Sequence, residues 1–426
     1  MIATIRNAWK IPELRKKILF TLFVLLIFRL GNAVPVPFVN AEALGYYFEQ
    51  LGNTVLGLYN VMSGDAFSNC TIFALSIQPY INASIIIQLL TIAIPALERM
   101  QRDEGEEGRK KITSITRYTT VGIGLLQGFG YYMLMKNQYG ILTDNSAWAA
   151  VVIIATFIAG ASFIMWMGEQ ITEFGIGNGI SMILFAGIVA RGPTMLNSLV
   201  SNYGVSINFA GAVGILVGAL AMIVFIVFSS QAERRIPVQY AKRVVGRKMY
   251  GGQSTHLPIK VNMSGVLPII FAQTIAMLPA TIAALVNPAE GSFGAKFLDL
   301  FDTTSTLYII IYFLLIIGFS FFYASVQFNP VEIANNLRKN GGFIPGFRPG
   351  KPTSEFIHKV LNKVTFFGSI YLGVVAIVPL VFTRITGLSS LGLGGTSIVI
   401  VVGVALETVQ QMEAQMVMRN YKGFLE

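Results

Sequence analysis

The sequence predicts an all-α polytopic membrane protein, with ten transmembrane helices and both termini on the cytoplasmic side. Three observations carry this. Hydrophobic residues make up 54% of the 426 and charged residues only 12%, about half the share usual in a soluble chain. Charge is absent from whole stretches, between Ile18 and Phe28 and between Cys70 and Leu97, as hydrocarbon demands when a charge at its centre costs several kcal/mol. The basic residues, finally, are strongly sided, as the count below shows.

A span needs roughly 20 apolar residues to cross the hydrocarbon layer. Ten segments qualify: 18–34, 71–97, 118–136, 148–168, 179–198, 209–230, 263–285, 306–326, 364–384 and 394–412. The first follows Arg15, Lys16 and Lys17 as a signal peptide would. It continues without the usual small-residue cleavage site, so it reads as a retained span. The second, fifth and seventh carry internal polar or Pro residues; the sixth is apolar almost throughout.

Of the 31 Lys and Arg, 26 fall on one side of these spans, in 1–17, 98–117, 231–262, 327–363 and 413–426. The other five are Arg29, Lys136, Arg191, Lys296 and Arg384. The positive-inside bias makes the first side cytoplasmic. It also explains a sequence pI of about 9.6 better than nucleic-acid binding does. Trp148 and Trp166, near the ends of the fourth span, suit interfacial positions.

Two cytoplasmic segments, 231–262 and 327–363, are long for a compact bundle. Either they are solvated tethers carrying ordinary positive-inside charge, or they form a docking platform for an acidic or nucleic-acid-containing partner. In the second, GFIPGFRPG holds Arg348 between turn formers, a stiff presentation that lowers the entropic cost of binding. The outer segment 35–70 is almost uncharged. It fits an interfacial helix or a re-entrant piece buried inside the protein equally well. Gly175, Gly177 and Gly179 before the fifth span read as a tight turn into a helix.

Enzymatic signatures are missing. The only histidines, His256 and His358, lie in cytoplasmic loops, and Cys70 is the only cysteine. No HExxH pair, paired intramembrane Asp or phosphate-binding Gly-rich loop is present. No cofactor or metal is expected. Glu407, in the tenth span, is the one carboxylate that an ion-coupled transporter would use; a residue facing a watery vestibule explains it equally well. Gln78, Asn82, Gln88, Gln127, Gln273 and Thr274 lie within spans and need partners or a wet path. Such contacts average about 0.6 kcal/mol, weak enough to suit a seam that opens as well as static packing.

Several long motifs resemble the bacterial SecY protein-translocation channel family: SIQPYINASIIIQLL, WMGEQITEFGIGNGIS, RRIPVQYAKR followed by STHLPIKVNMSGVLPIIFA, FNPVEIANNLRKNGGFIPGFRPGKPT and LGGTSIVIVVG. The resemblance implies two pseudo-symmetric five-helix halves, about 1–200 and 201–426, hinged at SNYGVSIN around an hourglass pore. It implies a pore ring of Ile77, Ile81, Ile180, Leu184, Ile270 and Ile400. Leu184 departs mildly from the commoner Ile and keeps the ring apolar. It further implies a plug at about 53–68, and a lateral gate formed by the second and third spans against the seventh and eighth, with Asn82, Gln88, Gln127, Thr274 and Leu278 on or near it. Cytoplasmic docking would use Arg243, Arg247, Lys248 and Arg348.

The implied partners are SecE-like and SecG-like small membrane subunits, the SecA motor ATPase, the ribosome, signal-bearing precursor polypeptides and membrane lipids. The implied location is the bacterial cytoplasmic membrane, with no catalytic residue in the chain. The spacing of the ring residues fits: Ile77 and Ile81, like Ile180 and Leu184, lie four apart and share a helix face. An apolar constriction repels water and ions. The competing function is an ion-coupled small-solute transporter, with a lipid scramblase or scaffold a remote third. A transporter would place charged or unwound polar groups at the membrane midplane, where this sequence places Ile.

Overall fold

The computed structural model describes residues 2–50, 60, 63–102, 104–136, 140–201, 209–240, 243–245, 248–250, 254–263, 265–286, 305–386 and 395–422. Its helices are α1 (Ile2–Lys10), α2 (Pro12–Gly31), α3 (Ala41–Gln50), α4 (Gln78–Ala93), α5 (Pro95–Arg102), α6 (Gly105–Lys136), α7 (Ala147–Phe174), α8 (Gly179–Ala190), α9 (Gly192–Ser201) and α10 (Phe209–Gln231). After four strands come α11 (Leu267–Val286), α12 (Thr306–Gln327), α13 (Pro330–Lys339), α14 (Lys351–Thr386) and α15 (Gly395–Lys422).

Each of the ten apolar stretches meets a helix. Among the described residues, four helical stretches are long and apolar enough to cross a membrane: Ala147–Phe174, Thr306–Lys339, Lys351–Val381 and Ser397–Val417. Lipid-type exposure agrees with this: Leu220, Phe228, Leu314 and Phe367 are largely bare on helix surfaces, which a soluble protein avoids on this scale.

Two expected spans are broken. The stretch 71–97 is not one helix: residues 72–77 form buried turns, α4 begins only at Gln78, and α4 and α5 bend by 105° at Ile94. Pro95 opens α5, and it holds Ile94 in extended backbone, φ −109° and ψ 110°. The stretch 179–198 breaks at Arg191, between α8 and α9, where Pro193 follows. Other spans extend beyond expectation at their basic ends, α6 and α14 the furthest. The helix α6 starts at Gly105 and α14 at Lys351, because a helix emerging into water needs no apolar face all round.

The all-α expectation is also too narrow. Segment 231–262 contains β1 (Glu233–Tyr240), β2 (Arg243–Val245), β3 (Lys248–Tyr250) and β4 (Ser254–Lys260); β5 is Gly342–Phe343. A three-stranded sheet runs β4-β1-β5, antiparallel, and β2 pairs with β3. Ile236 and Val238 alternate inward from β1 and join Ile259, Leu337, Ile344, Ile357 and Leu361 in a core of their own. Both long loops therefore share one folded unit, and the tether reading falls.

The apolar helices pack in two groups. In one, α2, α4, α6, α7 and α8 touch one another; in the other, α10, α11, α12, α14 and α15 do. The groups meet where α8 lies on α15, where α6 faces α11, and where α1 lies on α15.

Candidate functional site

The site begins at α8. Asn178 caps this helix, its side chain accepting from the backbone N–H of Ile180 at 3.1 Å and of Ser181 at 3.3 Å. The helix then runs tight against α7: a Cβ on Gly179 would lie 1.9 Å from the carbonyl oxygen of Gly168. Only glycine fits there, and this approach brings Ile180 to the middle of the bundle. On α4, Ile77 is the residue before the first turn, and Ile81 donates its N–H to the Ile77 carbonyl at 3.1 Å. The i, i+4 spacing therefore holds although Ile77 lies outside the helix.

These elements converge. Ile77, Ile81, Leu184, Ile270 and Ile400 are all buried in one hydrophobic cluster, and Ile180 packs against it. The cluster draws on both helix groups: Ile270 comes from α11 and Ile400 from α15. At Gly168 the side chains of Ile77 and Ile180 both come to 3.5 Å of where a Cβ would stand.

Beside it lies the seam between α6 and α11. Gln127 of α6, and Asn82 of the neighbouring α4, each hold a buried side-chain oxygen without a hydrogen-bond partner among the described residues. Gln88 and Thr274 are half-buried. Leu278 lies on α11, on a stretch whose backbone alone is described. At the end of α6's apolar stretch Arg117 bridges to Glu169 of α7 through two bonds, 2.9 and 2.8 Å. That carboxylate raises the guanidinium above its ordinary value, through these hydrogen bonds first.

The turns at 63–77 join this cluster, through Phe73 and Ile77, to a second one that holds Phe67 and Cys70. Phe67 stacks on Tyr131 at 4.2 Å between ring centroids, and the Tyr131 hydroxyl donates to the Phe67 carbonyl. Burial pushes the neighbouring Cys70 thiol up to about 12. Of the expected plug, 53–68, residues 60 and 63–68 are described and the rest lie outside the described residues. The described part of 35–70 includes α3 and largely buried turns at 63–70. The expected hinge falls at 202–208, outside the described residues.

Of the cytoplasmic candidates, Arg243 and Lys248 stand on β2 and β3, and Arg247 lies outside the described residues. Arg348 is exposed at the tip of its loop. The loop is stiff: Phe347 stacks on Phe356 at 4.2 Å, and the buried Thr353 hydroxyl donates to the Arg348 carbonyl at 2.8 Å. Asp65 and Arg191, 3.0 Å apart, are a pairing that sequence reasoning missed. A hint was available, since Arg191 is one of few cations on the outer side.

A multi-pass helical fold whose two helix groups meet at a cluster rich in Ile fits a membrane protein of the protein-conducting-channel class. Known proteins agree. The SecY family model matches residues 71–409. The protein translocase subunit SecY of Streptomyces scabiei is 43% identical over 437 residues, covering 100% of both chains. A solved structure of a protein-conducting channel superposes with a TM-score of 0.66 at 17% identity, covering 97% of each chain. A Sec61 chain from a canine ribosome–channel complex gives 0.61 at 16% identity, again with 97% coverage of each. The chain belongs to the SecY family. It is a translocation channel subunit and not an enzyme. The ion-coupled transporter reading has no support among these relatives, and Glu407 is exposed.

Proposed function

We propose that this chain is the pore-forming subunit of a channel that passes unfolded secretory polypeptides across the bacterial plasma membrane and releases transmembrane segments sideways into lipid. The observation that carries this is the convergence of six apolar residues from four separate stretches into one cluster between two helix groups. The ten apolar helices are then ten spans in two halves, 1–200 and 201–426, with both termini cytoplasmic. The two packed groups and the sided basic residues support that topology. Ile77, Ile81, Ile180, Leu184, Ile270 and Ile400 form the seal, which offers a passing chain no hydrogen bond to linger on.

The α6–α11 seam, with Asn82, Gln88, Gln127, Thr274 and Leu278 on or near it, serves as the lateral gate, and the segment around 53–68 as the plug. Small SecE-like and SecG-like subunits would cover part of the exposed apolar surface. The β-sheet unit with Arg243, Arg247, Lys248 and Arg348 would dock the SecA motor and the ribosome. Energy comes from those partners, since the chain carries no site of its own for it.

Stalled precursors test the reading. A photo-cross-linker at position 81 or 400 should capture a stalled secretory chain, whereas one at lipid-facing Leu220 should not. Equal capture at all three positions, or none at the first two, would count against a pore through this cluster.

Arg348 tests the docking surface. Its planar fork suits a carboxylate or a phosphate, whereas Lys offers only a point charge. Arg348→Ala and Arg348→Lys should both insert and assemble normally. Both should lower motor-driven import of precursor into proteoliposomes by about tenfold at equal channel content. Normal import by the Lys variant removes the bidentate contact, and normal import by both reduces Arg348 to topological charge.

A further inference from the structure

Four of the five Lys and Arg on the outer side of the chain lie among the described residues, and two of these four, Arg29 and Arg191, converge on one short turn. Arg191 ends α8, and its Nε lies 3.0 Å from Asp65 Oδ1 as an ion pair without hydrogen-bond alignment. Side-chain exposure is 21% for Arg191 and 27% for Asp65. From α2, Arg29 donates to the Gly64 carbonyl at 3.4 Å, and Asn32 donates to the Ser63 carbonyl at 3.4 Å. The turn is shaped to be received there. Gly64 adopts φ +66°, and a Cβ on it would stand 2.8 Å from the Gly187 carbonyl oxygen on α8. Asp65 itself is at φ 67° and is braced by Asn60, whose Nδ2 donates to Oδ1 at 3.1 Å.

The two ends of this segment are held differently. Phe67 and Cys70 sit in an apolar bed with Tyr131 and Met135 of α6. Ser63–Asp65 is held mainly by directional polar contacts and charge, to α2 and α8. An apolar bed loses free energy gradually as surface is exposed, whereas a half-exposed ion pair breaks over a short displacement and is weakened by salt.

We propose that Asp65 and Arg191 form a charged latch that keeps the 63–65 turn seated over the apolar cluster, so that breaking the pair is a step in opening and Phe67–Cys70 is the pivot. This rests on the channel reading above. It adds a residue pair that sets how readily the channel opens.

The test uses the full channel complex in planar bilayers, with resting conductance and import of a precursor bearing a weakened signal as readouts. Asp65→Asn and Arg191→Gln should each raise resting conductance by up to roughly fivefold, the most that an ion pair of this exposure supplies. Each should also let the weak precursor cross. The charge swap Asp65→Arg with Arg191→Asp should return both readouts toward the parent. High salt should open the parent more than it opens the doubly neutral variant, an arm that needs no refolded single variant.

The latch is overturned if the single variants stay as closed as the parent while the parent opens normally to a strong precursor. It is equally overturned if the swap is as leaky as the singles, or if salt acts alike on parent and neutral variant. If the parent never conducts with a strong precursor engaged, the channel reading itself fails and the latch falls with it.

Discussion

Tying α6 to α11 with a disulfide is expected to abolish precursor translocation. The seam between them is one of the places where the two helix groups meet, and Gln127 on it has a buried oxygen with no hydrogen-bond partner among the described residues. Interhelical polar contacts in membranes average about 0.6 kcal/mol, so thermal motion and a docked partner suffice to part them. A covalent bond removes that freedom. Cysteines introduced near Gln127 and Thr274 provide the pair. The native Cys70 is buried with a strongly raised thiol, so it competes little for oxidants, which react with the thiolate. Import should fall to the level of channel-free vesicles when the bond is complete and recover on reduction. Full import with the bond quantitatively formed would refute sideways opening at this seam.

Replacing two or three of the ring residues with polar ones, for example Ile81→Thr together with Ile270→Thr and Ile400→Thr, is expected to leak ions at rest. A dry constriction excludes ions because they would have to shed water with nothing in exchange; hydroxyls let water persist and lower that barrier. Resting conductance should rise by about tenfold or more. Thr retains the β-branch and most of the volume, so packing is largely kept. A purely structural cluster predicts something else: polar groups in a closed core cost about 1–3 kcal/mol each, so the complex would lose thermal stability without leaking. Conductance and melting temperature measured on the same preparation separate the two outcomes.

Much of this was legible one residue at a time. The apolar stretches and the sidedness of Lys and Arg follow from transfer free energies that add along the chain, and they hold whatever the neighbours do. The break at Ile94 had a signal in Pro95, which restricts the residue before it, yet hydropathy alone made 71–97 one span. The strand content of 231–262 was half-legible: RRIPVQY alternates, and Ile236 and Val238 do turn inward. Yet a strand gains its stability from partners, and β1 finds them in Ser254–Lys260 and in Gly342–Phe343, far down the chain. Hydropathy therefore marked the region only as loop.

What the sequence by itself determined is the class of protein: a helical membrane chain with a cytoplasmic basic surface, no catalytic chemistry, and the motifs of the SecY family. Only the tertiary structure decided which residues meet. Each Ile of the cluster, taken alone, is an ordinary packing residue; that Ile77 of one helix group joins Ile270 and Ile400 of the other in one cluster depends on how the groups seat. The pair Asp65 and Arg191 is decided the same way. Coulomb attraction depends on distance in space, and it took the turn at Gly64 and its close approach to Gly187 to bring those charges to 3.0 Å.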